Sequence, residues 1–210
     1  MSHLLESLNW RYATKQYDAT KKISQQDLET LLEATRLSVS SYGLQPYKII
    51  NVENPEIRQQ LRAVAWNQTS ITDASHLFVF AVEKNLGDKQ VQAYMENISQ
   101  TRGIPVQNLE GFSGMIHNAI DGLDENAKQN WAKKQAYIAL STLINTAAYL
   151  KLDATPMEGF DAQKFNEILG LETLGLATAV VAAVGYRHEE DAAQHYKKVR
   201  KSKKDLFINL

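Results

Sequence analysis

The sequence contains no cysteine among its 210 residues. This absence excludes disulfide bonds, thiol catalysis, iron–sulfur clusters and zinc–thiolate sites. An excess of charge of one sign is also lacking, because 23 lysines and arginines oppose 24 aspartates and glutamates and leave a formal net charge of −1. Such a balance gives the molecule no overall attraction to nucleic acid or to an anionic membrane.

Hydrophobic segments long enough to cross a membrane or to direct secretion are lacking as well. The longest apolar run, residues 174–186, is interrupted by Thr178 and is too short and too rich in flanking glycine for a bilayer span. The N-terminus has no apolar core of the kind found in signal peptides. No linker or repeat divides the chain, so we expect one soluble cytoplasmic domain over residues 1–210.

Several catalytic motifs are missing. The patterns G-x-G-x-x-G, G-x-x-x-x-G-K-S/T, H-E-x-x-H and G-x-S-x-G do not occur, and no two of the five histidines have the spacing of metal ligands. These absences disfavour hydrolase, kinase and metalloenzyme functions, and we expect no metal site. An enzyme built from these residues would take its chemistry from a bound cofactor.

Apolar spacing predicts a mixture of helices and strands. The strongest helix prediction covers residues 125–150, where apolar residues nearly all round are typical of a central buried helix. Unbroken apolar runs at residues 77–82 and 177–186 predict buried strands. Residues 101–124, with five glycines and prolines, predict a mobile excursion with short helices. Further elements are expected as helices from Leu4, after Ser24, and over 55–64, 90–99 and 162–169, and as a strand over 47–52.

Two cationic motifs lie near opposite ends of the chain. Arg11-Tyr12-Ala13-Thr14-Lys15 places two cations around a hydroxyl, and Lys198-Val199-Arg200 places two cations on one side of an extended chain. Either pair can bind a phosphate, and a lysine can also offer its charge to an electron-rich ring edge. The alternatives are a solvated helix end for the first motif, and a solvated charge run or a nucleic-acid patch for the second.

Two loops carry groups suited to a small ligand. Ser40-Ser41-Tyr42-Gly43-Leu44-Gln45-Pro46 offers hydroxyls and backbone amides. Pro156-Met157-Glu158-Gly159-Phe160 has a glycine after an acid at a strand end, where backbone N–H groups can approach a flat ring. Either loop is otherwise an ordinary turn. Trp66, Asn67 and Gln135 are further polar or stacking partners, unless they are ordinary surface or core residues.

Taken in order, these motifs resemble the nitroreductase family. The shared patterns are R-x-x-T-K-x-Y/F-D, S-S-x-x-x-Q-P-Y/W, D-A-S-H before a Phe/Val strand, P-x-E-G-F-D and K-x-R. The chain is most similar to the oxygen-insensitive NAD(P)H nitroreductase and dihydropteridine reductase branch, and least so over residues 87–123. The resemblance implies an α+β fold, with a mostly antiparallel central sheet wrapped by helices. It also implies an intertwined homodimer with one FMN in each of two interface clefts.

The resemblance further implies roles for individual residues. Ser40 and Ser41 would reach the FMN of the partner subunit, Asn67 would contact the ring, and the backbone amides of Glu158 and Gly159 would face flavin N5. The FMN phosphate would lie against Arg11, Lys198 and Arg200, and the pyrimidine edge of the flavin against Lys15. The complete predicted cofactor set is Arg11, Tyr12, Ala13, Lys15, Ser40, Ser41, Gly43, Asn67, Gln135, Pro156, Met157, Glu158, Gly159, Lys198 and Arg200, and the predicted acceptor contacts are Tyr42, Phe112 and Met115.

Three positions depart from the family pattern. Ala13 stands where the branch usually has serine, Ser70 where it often has a second lysine, and Gly43-Leu44 where it has an asparagine. We expect FMN binding to survive these changes, with a shift in flavin potential and acceptor choice. Lys15 is then the main positive charge available to stabilise the anionic reduced flavin.

The resemblance predicts a ping-pong oxidoreductase. NAD(P)H would give a hydride to FMN, and an electron-poor acceptor such as a nitroaromatic compound or a quinone would then take two electrons, with no side chain acting as acid or base. The alternatives are a flavin or enone reductase, a non-catalytic flavin carrier or sensor, and a nucleic-acid-binding module. The apolar tail Leu206–Leu210 supports the homodimer, because adding it as a strand to a partner's sheet would bury Phe207; the alternative is packing on its own domain.

Overall fold

A four-stranded antiparallel sheet lies at the centre of the computed structural model, which describes residues 2–210. Its strands are β1 (Tyr47–Asn51), β2 (His76–Glu83), β3 (Asp153–Met157) and β4 (Leu176–Gly185). The order is β1-β2-β4-β3, and each neighbouring pair is antiparallel. The predicted α+β class with an antiparallel central sheet is confirmed.

Helices surround the sheet, and most of them begin where the sequence predicts. The side chain of Ser24 accepts a hydrogen bond from Asp27 N, and that of Asp161 accepts one from Lys164 N, so these residues cap the helices predicted after Ser24 and over 162–169. The helix between residues 70 and 73 is too short to give a periodic pattern and was not predicted. The helices are α1 (His3–Trp10), α2 (Gln25–Arg36), α3 (Pro55–Ala63), α4 (Ser70–Asp73), α5 (Asp88–Arg102), α6 (Glu110–Ile120), α7 (Glu125–Tyr149), α8 (Ala162–Ile168) and α9 (Lys203–Leu206).

Both faces of the sheet are covered, which explains the unbroken apolar run of β2. Phe78 and Phe80 point to the face covered by α2 and α7, whereas Leu77 and Val79 point to the face covered by α3 and α8. All four side chains are fully buried. Alternate residues of a strand face opposite sides, so two covered faces require apolar residues at every position.

The excursion predicted over residues 101–124 contains a short helical turn at Val106–Leu109 and the eleven-residue helix α6. The apolar side of α6 packs with α5 around a separate small core. The helix runs through Gly111 and Gly114, and a Cβ at either position would meet nothing within 4 Å. The glycine content predicted a mobile segment with short helices. The two glycines at 111 and 114 instead lie within a regular helix, where their positions have no close neighbours.

The C-terminal tail does not pack on its own domain. Its last residues follow α9, with Phe207 63% exposed and Ile208 85% exposed. Packing of the tail on its own core, the alternative considered from the sequence, is therefore wrong, and strand addition to a partner remains a prediction. Within residues 2–210, no helix has the length and apolar character needed to cross a membrane.

Candidate functional site

The N-terminal cationic motif follows α1 as an extended segment beside the end of the sheet. Asp18 N donates to Tyr186 O at 2.8 Å, and His188 N donates to Gln16 O at 2.9 Å, so the segment pairs with the chain that leaves β4. Thr14 is fully buried, whereas Lys15 is exposed. This alternation lets the segment anchor itself on one side and present cations on the other.

The two cationic motifs meet in space. Arg11, Lys198 and Arg200 line one cavity of about 370 Å³, together with Tyr12 and Ala13. The ammonium of Lys198 donates to Leu8 O at 2.5 Å and also to Arg11 O, which ties the C-terminal segment to the end of α1. Residues almost two hundred positions apart in sequence are therefore neighbours, as the resemblance implied.

This cationic cluster, defined as Arg11, Lys198 and Arg200, has no neutralising carboxylate in the part of the chain that the structure describes. None of the ion pairs formed within residues 2–210 includes any of the three. Burial lowers the pKa of Arg11, and the charge of Arg200 lowers it further. Burial also lowers the pKa of Lys198, with added repulsion from Arg11 and Arg200. Unbalanced positive charges repel one another, so a bound anion such as a phosphate would stabilise this cluster.

A second cavity of about 470 Å³ begins at the same arginine. Arg11 lies at its border, and the predicted P-x-E-G loop supplies Pro156, Met157 and Glu158 to its wall. The remaining wall comes from α7 and β4, through Tyr137, Leu140, Ser141, Ile144, Asn145 and Val180. Arg11 therefore borders both cavities, the one lined by the two cationic motifs and the one walled by the P-x-E-G loop.

A tyrosine that was not predicted holds the acid of this loop. The hydroxyl of Tyr137 donates a hydrogen bond to the carboxylate of Glu158. Burial, followed by this hydrogen bond, raises the pKa of Tyr137 to about 12. The hydroxyl therefore stays protonated at neutral pH and keeps the Glu158 side chain at the cavity wall.

Gly159 lies against the exposed ring of Trp66. A Cβ at this position would lie 2.2 Å from a ring carbon of Trp66, so no larger residue fits while the indole is there. Trp66 and its neighbour Asn67 have φ values of +53° and +55°, in the left-handed region. The side chain of Gln68 donates to Gly159 O at 2.7 Å and joins the two loops. Strained backbone of this kind is found mostly at functional sites.

Ser70 cannot replace the lysine that the family pattern often has at its position. Its side chain is buried, and its hydroxyl donates to Met157 Sδ at 3.3 Å. The residue therefore supports the P-x-E-G loop from behind and brings no charge to the cavity.

The remaining predicted residues form a second group around the loop of residues 40–45. Tyr42 and Gly43 have positive φ values of +57° and +78°, and Ser40 Oγ accepts a hydrogen bond from Gln45 N at 3.0 Å. The ring of Tyr42 lies 6.4 Å from that of Phe112 on α6, where Met115 is exposed. This second group lines neither of the two cavities described above, and neither do Lys15, Asn67 and Gly159. The predicted residues that do line them are Arg11, Tyr12, Ala13, Pro156, Met157, Glu158, Lys198 and Arg200.

Gln135 supports this loop with both ends of its side chain. It is buried; its Oε1 accepts from Ser41 N at 2.8 Å, and its Nε2 donates to Trp131 O at 3.1 Å.

Sequence reasoning also missed Asp153, Arg187 and Asp191, which fix the N-terminal segment. The one local signal was an acid at the start of a buried strand, Asp153, since such a residue needs a partner.

Comparisons with known proteins agree with one another. The model of the family described as the nitroreductase family matches residues 8–186. A candidate NAD(P)H nitroreductase of Staphylococcus saprophyticus is 35% identical over 214 residues, which cover 97% of this chain and 94% of that protein. The crystal structure of a candidate nitroreductase in complex with FMN from Exiguobacterium sibiricum has a TM-score of 0.83 at 18% identity, covering 100% of this chain and 98% of that one. The enone reductase CLA-ER of gut-bacterial fatty acid saturation has a TM-score of 0.82 at 19% identity, covering 99% and 97%.

Proposed function

This chain belongs to the nitroreductase family, and on that basis we propose that it reduces electron-poor organic acceptors, such as quinones and nitroaromatic compounds, with electrons from NAD(P)H. It is a flavin oxidoreductase whose cofactor is FMN. The observation that carries the proposal is the cationic cluster, which forms no ion pair with a carboxylate among residues 2–210 and whose Arg11 also borders the cavity walled by Pro156–Glu158.

The residues fit FMN on physical grounds. A phosphate would supply the negative charge that Arg11, Lys198 and Arg200 lack, and arginine binds phosphate through two parallel hydrogen bonds. A flat ring suits the second cavity, whose wall mixes aliphatic side chains of α7 with the backbone of the P-x-E-G loop. In this assignment Asn67, Glu158 and Gly159 lie at the ring, and Lys15 lies at its pyrimidine edge.

When bound, FMN supplies the hydride chemistry, and the chain contributes binding, orientation and electrostatics. The cationic cluster fixes one end of the cofactor. Lys15 stabilises the negative charge that reduction adds, since Ser70 brings none. Tyr137 keeps the Glu158 carboxylate at the wall of the second cavity. Acceptor access depends on Tyr42, Phe112 and Met115. The proposal assigns no side chain an acid or base role.

The proposed active unit is a homodimer of single-domain subunits. Residues of the loop at 40–45 line neither of the two cavities that Arg11 borders. They contribute to the proposed site only if a second subunit brings its own loop to those cavities. The apolar tail is exposed, and β1 pairs with β2 alone among the described strands. A partner's tail paired with the free edge of β1 would cover both surfaces.

Absorbance of the purified protein tests the proposal. We expect a yellow protein that releases FMN, loses its flavin absorbance when NADH or NADPH is added without oxygen, and regains it with a quinone or a nitroaromatic compound. A panel that includes an enone and free flavin identifies the acceptor class, and bound FMN with only slow NAD(P)H oxidation would indicate a carrier. Arg11→Ala and Arg200→Ala should retain less FMN than Arg36→Ala, a surface control paired with Glu33. Protein that stays colourless in excess FMN would refute the proposal.

A further inference from the structure

An arginine outside both cavities is held between two aromatic rings. The guanidinium carbon of Arg187 lies 4.3 Å from the ring centroid of Trp10 and 4.5 Å from that of Tyr12. Its Nη2 is 2.7 Å from Asp153 Oδ1, and its Nε donates to both carboxylate oxygens at 3.0 and 3.1 Å. Only 19% of the Arg187 side chain is exposed, so stacking and ion pairing both occur where solvent screening is weak.

The carboxylate of Asp153 joins three parts of the chain. It belongs to the first residue of β3 and is 2% exposed. Besides the guanidinium, it accepts Arg187 N at 2.8 Å and the hydroxyl of Thr14 at 3.1 Å. Strand β3, the chain after β4 and the N-terminal segment therefore share one buried anion.

A second carboxylate fixes the other side of the same segment. Asp191 accepts the hydroxyl of Tyr12 at 3.1 Å and the backbone N–H of Lys15 at 2.8 Å. The aromatic ring that covers Arg187 is thus itself anchored at its far end. The two carboxylates leave Tyr12 little freedom to rotate away from the guanidinium.

These contacts surround Arg11 in sequence without including its side chain. Trp10 and Tyr12 lie directly before and after it, and both pack on Arg187. The carbonyl oxygen of Arg11 accepts the ammonium of Lys198, so the backbone position of Arg11 also decides where the C-terminal cations lie. Arg187 lines neither cavity and can influence the cluster only through its neighbours.

We propose that Arg187, stacked between Trp10 and Tyr12 and paired with Asp153, is a positioning residue that aligns the cationic cluster for the FMN phosphate. The inference rests on the proposed function, because it takes FMN as the ligand. A merely structural ion pair would stabilise the fold and affect every ligand of the cavity alike. A positioning residue affects the phosphate end of the ligand and leaves the ring end unchanged.

Binding of FMN and riboflavin to the apoprotein separates these two roles, because riboflavin has the same ring and no phosphate. Dissociation constants for both are measured by fluorescence titration in wild type, Arg187→Met and Arg187→Lys. We expect Arg187→Met to weaken FMN binding about tenfold, which corresponds to roughly 1.4 kcal/mol, and to change riboflavin binding less than about twofold. Arg187→Lys keeps the charge and loses the flat stacking surface, so its FMN affinity should lie between that of the wild type and that of Arg187→Met.

Three further variants complete the test. Arg11→Met, a direct phosphate contact in this assignment, should abolish the preference for FMN, and Arg36→Met should leave it unchanged. If Arg187→Met does not fold, Trp10→Leu keeps the ion pair, removes one stacking face and should still lower the preference. Equal losses for both flavins, or an unchanged preference in all Arg187 and Trp10 variants, would overturn the inference alone. A wild-type protein that binds neither flavin would refute the proposed function as well.

Discussion

The two ends of the chain supply the same cationic cluster but are held in place very differently. The N-terminal segment is anchored by two buried carboxylates, Asp153 and Asp191, and its Thr14 is fully buried. The C-terminal segment is tied to α1 through the ammonium of Lys198, and the side chains that follow are largely open to solvent. Exposed fractions there are 83% for Val199, 63% for Phe207 and 85% for Ile208.

This difference distinguishes the segment that a single chain orders by its own contacts from the segment that we expect a partner subunit to cover. Ordering a residue costs about 1–2 kcal/mol of backbone entropy, which the buried hydrogen bonds of the N-terminal segment offset and an exposed tail does not. Apolar side chains without cover are typical of surfaces that bind another protein. The N-terminal half of the cluster is therefore complete in one subunit, whereas the C-terminal half depends on the ligand and on the proposed second copy.

Removal of Asp191 is expected to have the largest consequence for stability. Its carboxylate accepts hydrogen bonds from Tyr12, Lys15 and Ala193, so Asp191→Ala leaves several donors without partners. We expect the free energy of unfolding to fall by about 3 kcal/mol, as urea denaturation can measure. The matched control is Asp205→Ala in the exposed tail, whose carboxylate bonds to Ser202; its effect should stay within about 0.5 kcal/mol. Equal effects of the two variants would contradict the contrast between the chain ends.

Deletion of residues 206–210 should weaken the dimer without destabilising the subunit. The free energy of unfolding of the subunit should change little, because these side chains are mostly exposed in the single chain. Dimer dissociation should become about thirtyfold easier, or roughly 2 kcal/mol, because Phe207 and Ile208 would lose a partner surface. Sedimentation velocity over a concentration series measures the change. Leu174→Ser, at another exposed leucine, is the control, and a truncated protein that dimerises as tightly as the wild type would count against the proposed role of the tail.

Local patterns predicted most of the fold. The apolar run at 77–82 became β2, because both faces of that strand are covered. The helix predicted at 125–150 became α7, but only eight of its 25 residues are buried and Tyr149 is 60% exposed, so the prediction of a helix buried nearly all round is wrong. Capping by Ser24 and Asp161 depends on residues three positions apart and is equally local. Four-residue α4 has no periodic pattern of its own, since its existence depends on packing against α3.

The anchors of the site lie beyond the reach of local patterns. Asp153 and Arg187 are 34 residues apart, and Asp191 is 176 residues from Lys15, so no spacing rule connects them. The two cationic motifs, taken separately, favoured solvated surface over a phosphate site. Their meeting was expected from family resemblance, and the folded chain supplies the physical reason through the backbone carbonyl of Arg11.

The smallest expected effect is the dependence of stability on pH, and it again concerns Asp191. Burial raises the pKa of Asp191, but hydrogen bonds from Lys15, Ala193, Gln16 and Tyr12 outweigh it and hold the value below the ordinary one. A carboxylate with a lowered folded pKa adds stability that is present above its unfolded value of about 3.9 and is lost as the pH falls through the folded value. Wild type should therefore exceed Asp191→Asn by about 1 kcal/mol in free energy of unfolding at pH 7. The gap should narrow progressively below about pH 4, where the carboxylate of the unfolded wild-type chain takes up a proton before that of the folded chain does. Urea denaturation at each pH measures it, with Asp205→Asn expected to follow the wild type throughout. If the stability difference between wild type and Asp191→Asn is unchanged at pH 3, the charge of Asp191 is not what stabilises the fold. The N-terminal segment would then be held by packing, which the exposed C-terminal tail lacks.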